Sequence, residues 1–152
     1  MRGFTLIELI FVIVIGGILA FVALNSIPDN TLISDADILQ AKILEKRSNA
    51  LGYKADMENS EDIKFVCIDL NKTSLNNEEK HSKVSYIFKS DISVNLDSDR
   101  ICFDSLGRPF KDKVDYNLSY LIHKNVIISV KYKLKELNLT LYPMTGFVKV
   151  GN

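Results

Sequence analysis

Two hydrophobic patterns divide the chain. Between positions 4 and 24 apolar side chains run almost unbroken; Glu8 is the one charge among them, and the next is Asp29. At about 1.5 Å per helical residue this run reaches roughly 30 Å, the thickness of a bilayer core. It predicts a membrane-crossing helix. A carboxylate at that depth costs roughly 2.5–3.5 kcal/mol, so Glu8 calls for a partner. Gly16 and Gly17 lower helix propensity in mid-span by about 1 kcal/mol each against alanine, and they let neighbouring helices approach closely. Pro28 should kink or end the helix.

Beyond Pro28 the pattern turns amphipathic. Ser34, Asp35, Ala36 and Asp37 read as cap-like and first-turn residues. Ile38, Leu39, Ala41, Ile43, Leu44, Ser48 and Leu51 then recur mostly at helical spacing, and Gly52 marks a stop. From position 63 the period falls to two. Strands are predicted at 64–69, 84–89, 92–96, 100–104, 118–122, 126–134, 137–142 and 147–150. Polar positions 71–82 predict a loop, and 104–109 and 143–146 carry turn residues. The expected class is α+β: a long N-terminal helix, half membrane-spanning and half amphipathic, packed on an antiparallel sheet domain.

Charge adds orientation and exclusions. Arg2 precedes the apolar run and Asp29, Asp35 and Asp37 follow it. The positive-inside bias then sets the N-terminus in the cytoplasm and the body outside. Nineteen basic residues balance nineteen acidic ones, unlike the basic excess of a general nucleic-acid binder. A secretory signal peptide would show a basic front and a small-x-small cleavage site; here one Arg, an early acid and no Ala-x-Ala stand instead. A plain anchor tolerates the length but leaves Glu8 and the Gly3–Phe4 junction unexplained.

Gly3-Phe4-Thr5-Leu6-Ile7-Glu8, at the head of the apolar run, resembles the processing motif of type IV pilins and pseudopilins. That resemblance implies cleavage by a prepilin peptidase after Gly3, N-methylation of Phe4 as the first mature residue, and a role for Glu8 in assembly. The Phe4 ammonium and a neighbour's Glu8 carboxylate neutralise each other only in a filament, and an unpaired partner is strongly destabilising. The chain then divides into a leader at 1–3, a filament-core or transmembrane helix at 4–27, its amphipathic continuation at 28–52 and an extracytoplasmic β-rich domain at 53–152.

A second resemblance narrows this. Ile101-Cys102-Phe103-Asp104-Ser105-Leu106-Gly107-Arg108-Pro109, followed by Leu139-Thr140-Leu141-Tyr142-Pro143-Met144-Thr145-Gly146-Phe147-Val148, is similar to the GspH/FimT-type minor pseudopilins. Major pilins commonly close a C-terminal loop with a disulfide, and major pseudopilins often carry an acidic calcium loop. Cys102 is the last cysteine here, and Gly146-Phe147-Val148-Lys149-Val150-Gly151-Asn152 holds no acid. The resemblance implies a minor subunit of a type II secretion pseudopilus or a type IV pilus. It would sit single-pass in a bacterial inner membrane until assembled. Its partners would be other pilin or pseudopilin subunits, the prepilin peptidase and the inner-membrane assembly platform. The alternatives are a DNA-uptake minor pilin and a simple membrane-anchored periplasmic domain.

The remaining chemistry is sparse. Cys67 and Cys102 lie in apolar strand contexts; the choice is between a disulfide, which an oxidising compartment sustains, and two buried thiols. Their spacing suits neither zinc nor redox chemistry. His81 and His123 stand in no catalytic motif, and there is no phosphate loop and no G-x-S-x-G. No enzyme activity, cofactor or metal is expected. Lys131, Lys133 and Lys135 share a face by alternation and, with Lys124 and Lys149, offer a candidate patch for DNA phosphates, although a solvated sheet face is the simpler reading. Asn71, Asn117 and Asn138 each begin an N-x-S/T triplet with an acid two positions before, resembling the acidic glycosylation sequon of some bacteria.

Overall fold

The computed structural model describes residues 6–26, 30–79, 86–115 and 117–151. Helix α1 (Leu6–Ser26) and helix α2 (Asn30–Ala50) come first. Pro28 lies outside the described residues. A short helix α3 (Ser60–Val66) leads into strand β1 (Cys67–Asp69), and helix α4 (Lys72–Glu79) follows. The remaining strands are β2 (Asp91–Val94), β3 (Arg100–Phe103), β4 (Pro109–Lys111), β5 (Val126–Tyr132), β6 (Lys135–Leu141) and β7 (Val148–Val150). They form two antiparallel sheets, β1-β3-β4 and β2-β5-β6-β7. The layout is α+β, with helix packed on antiparallel sheet.

The four-stranded sheet presents α2 with a face written in register. Ile92, Val130 and Leu137 make one row. Val94, Ile128, Leu139 and Val150 make the next, and Val126, Leu141 and Val148 the third. Strict alternation puts every apolar residue of these strands except Ile127 on this side. The small sheet follows another rule: Ile101, Cys102 and Phe103 are all buried, because its middle strand is covered on both faces. Cys67 lies opposite Cys102 across β1 and β3, and their sulfurs form a disulfide at 1.99 Å.

α2 closes both sheets with Leu32, Ala36, Leu39, Ile43 and Ala50. This stripe is rotated from the expected one. Ala41 and Ser48 face solvent and Leu51 is half exposed, because α2 begins at Asn30 and the 32-36-39-43-50 line sets the contact. The same early start moves Asp35 from the first turn into the helix interior. There it is fully buried. Its carboxylate accepts hydrogen bonds from the Ser90 N–H at 2.7 Å, the Lys89 N–H at 3.1 Å and the Tyr86 hydroxyl. One acid on the helix thus holds the segment that enters β2. Burial, then the hydrogen bond to Asp35, then its negative charge push the Tyr86 phenol well above its ordinary value of 10.

The turn residues noted in the sequence meet in space. Asp104 accepts from the N–H groups of Leu106 at 3.0 Å and Arg108 at 2.8 Å, and from the Arg108 guanidinium at 2.8 Å. This loop lies against the end of α2, where Gly52 N–H donates to the Ser105 carbonyl at 2.9 Å. A Cβ on Gly146 would stand 2.2 Å from the Gly107 carbonyl oxygen and 3.1 Å from both the Arg47 Cδ and the Phe103 ring. Gly146 also has φ +61°. Arg47 Nε donates to the Thr145 carbonyl at 2.6 Å, tying the second turn to the helix. The two glycines therefore serve a close backbone approach as well as chain reversal.

Several expected elements differ. Positions 64–66 end α3, whose N-cap Asn59 accepts from the Glu61 N–H; a cap and first-turn acids outweigh the apolar alternation there. Within the expected 71–82 loop lies α4, started by Asn71, whose Oδ1 accepts from the Ser74 N–H at 2.8 Å, and anchored by buried Leu75. Residues 86–89 form no strand: Asn76 takes the Phe88 N–H and Asp35 the Lys89 N–H; 84 and 85 lie outside the described residues. At 118–122 a single bridge, Phe110 to Leu121, replaces a strand. β4 occupies Pro109–Lys111, just past the turn; proline is tolerated there at the first position of an edge strand.

Four stability measurements follow. A bridge across 35 positions should contribute about 4 kcal/mol by loop-closure entropy. Denaturant titration of the chain in detergent should show a loss of that order for the C67S/C102S double variant. Gly146→Ala should cost about 2–5 kcal/mol, combining a left-handed backbone with overpacking. Gly52→Ala, at φ +75° with open space around it, should cost only about 1–2 kcal/mol in the same titration. The raised Tyr86 phenol gives a pH signature. The folded state holds its proton more tightly, so this contribution is complete below about pH 10 and is lost as pH climbs toward the folded value. Stability measured from pH 8 upward should fall above pH 10, and Tyr86→Phe should flatten that fall.

Candidate functional site

α1 is the segment on which function turns. Every described large apolar side chain from Leu6 to Val22 is exposed, by 51% to 77%. Glu8 lies in the first turn, where a carboxylate is favoured by the helix dipole, and it is exposed between Ile7 and Leu9. Gly16 and Gly17 leave open space where a Cβ would be, so a neighbouring helix meets no side chain there. Among the described residues no helix is long and apolar enough to cross a membrane. Gly3 and Phe4, the expected cleavage and methylation positions, lie outside the described residues.

The expected lysine patch is dispersed. The β5–β6 hairpin turns at Lys133, φ 55°, so Lys131, Lys133 and Lys135 do not share one alternating strand face. Lys131 lies between Asp91 and Glu136 in register, and its Nζ sits 3.2 Å from the Glu136 carboxylate. Lys133 stacks over the Tyr132 ring at 5.0 Å. Lys149 shares the outer face with Thr140 and Ile127. The outer surface of this sheet alternates in sign and polarity, which weakens phosphate tracking.

The other polar groups serve the fold. Arg100 grips Asp69 through two bonds, at 2.6 and 3.0 Å; these raise the guanidinium above its ordinary value, against the opposing effect of burial. The Tyr53 hydroxyl donates to Asp62 at 3.0 Å, and that bond chiefly raises its phenol. A cavity of about 110 Å³ opens beside Tyr53, Phe103, Asp104 and Arg108, below the roughly 300 Å³ of small ligand pockets. Among the described residues no three His, Cys, Asp or Glu side chains gather as a metal site. His123 is exposed, and His81 lies outside the described residues.

The candidate sugar acceptors fall in three settings. Asn71 caps α4, Asn138 lies within β6, and Asn117 occupies an exposed turn. The buried Asp35 is the residue that sequence reasoning misplaced. The helix-spaced line from Leu32 through Ala36 and Leu39 to Ile43 was the available signal, since it brackets Asp35 on the buried side.

Residues 1–24 match the family model of the prokaryotic N-terminal methylation motif. No curated protein and no solved structure matches the chain. The motif is the mark of type IV pilin-type structural subunits rather than of an enzyme family, and it implies processing by a prepilin peptidase and assembly with other pilin subunits. The chain thus carries the N-terminal hallmark of type IV pilins and pseudopilins, joined to an α+β body.

Proposed function

We propose that this chain is a minor pseudopilin or minor pilin: cleaved after Gly3, methylated on Phe4, held by α1 in the inner membrane and then assembled into a filament of a type II secretion system or type IV pilus. The carrying observation is the methylation motif on a helix whose described apolar side chains are exposed all round. An exposed side chain of this kind forgoes about 1.5–3 kcal/mol of transfer free energy. Scaled by their exposure and summed over Leu6 to Val22, that is on the order of 10–25 kcal/mol, against about 3 kcal/mol for Glu8 at bilayer depth. The apolar surface decides that α1 leaves water. Glu8 then distinguishes between the non-aqueous settings, lipid alone and a bundle that supplies a cation.

The minor role draws on the body. The Cys67–Cys102 bridge ties β1 to β3 inside the domain instead of closing a C-terminal loop. The two turn motifs meet at the end of α2, so the residues that resemble minor pseudopilins form one structural unit. DNA uptake has less support, because Lys131 lies between two acids in register.

The test is Glu8→Ala in the native system. Cleavage and membrane retention should persist, while recovery in sheared or crosslinked filament fractions should fall at least tenfold against wild type. Normal incorporation of the variant would count against the assembly role, and an uncut, unmethylated chain in wild-type cells would remove the pilin reading itself. Mass spectrometry of the mature N-terminus reads the second outcome.

A further inference from the structure

Each of the three N-x-S/T triplets follows an acid at the second position before the asparagine, and a filament role uses none of them. The fold separates them sharply. Asn138 sits inside β6, opposite Ser129 on one side, and its carbonyl accepts the Gly151 N–H at 2.7 Å on the other. Its Oδ1 accepts the Ser129 hydroxyl at 2.7 Å, and Leu139 beside it is fully buried. Delivering Asn138 to an enzyme requires pulling β6 from both neighbours. Asn71 is the cap of α4, between fully buried Leu70 and Leu75, and the acid before it, Asp69, is engaged by Arg100 through two bonds.

Asn117 differs on each count. Asn117, Leu118, Ser119 and Tyr120 are all exposed and belong to no strand. The local bonds are those of a turn: the Asn117 N–H donates to the Asp115 carboxylate at 3.0 Å and the Leu118 N–H to the Asp115 carbonyl at 2.9 Å. Leu118 holds φ +61°, an unfavourable conformation for a branched side chain, so opening this turn relieves backbone strain. An acceptor for N-linked sugar must leave its local fold and extend into a transferase, which favours surface loops of exported domains. The disulfide places the domain in an oxidising compartment.

We propose that Asn117 is an N-glycan acceptor and that Asn71 and Asn138 are not. The donor class is an oligosaccharide carried on a polyprenyl pyrophosphate. The Asn117 carboxamide nitrogen forms the new bond to the anomeric carbon as that carbon's bond to the pyrophosphate oxygen breaks. The lipid pyrophosphate leaves with the electron pair, and one amide proton passes to a base of the transferase. Ser119 supplies the hydroxyl of the triplet and Asp115 the preceding carboxylate. This inference rests on the export assigned under the proposed function.

The experiment is peptide-level mass spectrometry, with thiol trapping, on the full chain isolated from its own cells. The Asn117 peptide should carry a mass increment equal to a sum of sugar residues, and the Asn71 and Asn138 peptides should carry none. Asn117→Gln and Ser119→Ala should abolish the increment, while Ser119→Thr, which keeps the hydroxyl, should retain it. A bare Asn117 in a chain whose Cys67–Cys102 bridge has formed overturns the glycan proposal and leaves export standing. Sugar on Asn71 or Asn138 overturns the selection by fold. Free thiols at both cysteines refute the export reading, and the proposal with it.

Discussion

One helix face has to close two sheets that share no strand. α2 meets β5, β6 and β7 of the larger sheet and β1 and β3 of the smaller, and the rest of the body is arranged around that demand. The contact line is narrow and mostly aliphatic, from Leu32 to Ala50, and Ala36, Leu39, Ile43 and Ala50 are fully buried along it. Such packing is non-directional and by itself tolerates sliding of one sheet against the other. The fold adds directional ties at both ends of the helix. Near the start, Asp35 fixes residues 86–90 through two backbone N–H groups and one hydroxyl. Near the end, Arg47 and Gly52 hold the two turns.

The ties differ in what their loss would do. A buried carboxylate is stable only while its donors stay, and removal of either side leaves an unsatisfied group in the core. Asp35 therefore makes the entry to β2 conditional on correct docking of α2, a specificity device as much as a stabilising one. The glycine junction works by exclusion: any side chain at Gly146 meets the Gly107 carbonyl. The disulfide acts on a third level. It joins neighbouring strands already in register and restricts chiefly the unfolded chain.

The parts that could be read from the chain are those governed by one local rule. The alternation of Val126, Ile128 and Val130 opposite Leu137, Leu139 and Leu141 gave β5 and β6 to within two residues, and the stop at Gly52 followed from its backbone freedom. What escaped depended on distant partners. Residues 64–66 and 72–79 look extended or polar until the Asn59 and Asn71 caps and buried Leu75 are placed. The burial of Asp35 is foreshadowed by its neighbours Leu32, Ala36 and Leu39 on the same face, but its partners Tyr86 and Ser90 lie more than fifty positions away, where nothing local reveals them. Lys131, Lys133 and Lys135 looked like one face because a two-residue turn at 133–134 carries no glycine or asparagine to announce it. At the N-terminus the opposite holds: the methylation motif and the exposed apolar run are legible from local sequence alone, because no distant part of the chain is needed to define them.

That asymmetry bears on how the two halves work together. Among the described residues the body closes its own core, and its buried acids Asp35 and Asp104 find their hydrogen-bond donors within it. α1 differs: its described apolar side chains are exposed, a surface that lipid or other helices would cover under the proposed function, and there the Glu8 carboxylate would add a cost of about 3 kcal/mol. A chain built so is finished as a domain and unfinished as a helix. Transfer from lipid to a helical bundle exchanges one apolar environment for another and yields little hydrophobic free energy. Under the proposed function the choice between them rests on close approach, which Gly16 and Gly17 permit, and on the charge that each setting brings to Glu8. A single acid of modest cost can govern such a transfer because the much larger apolar term is nearly the same on both sides of it.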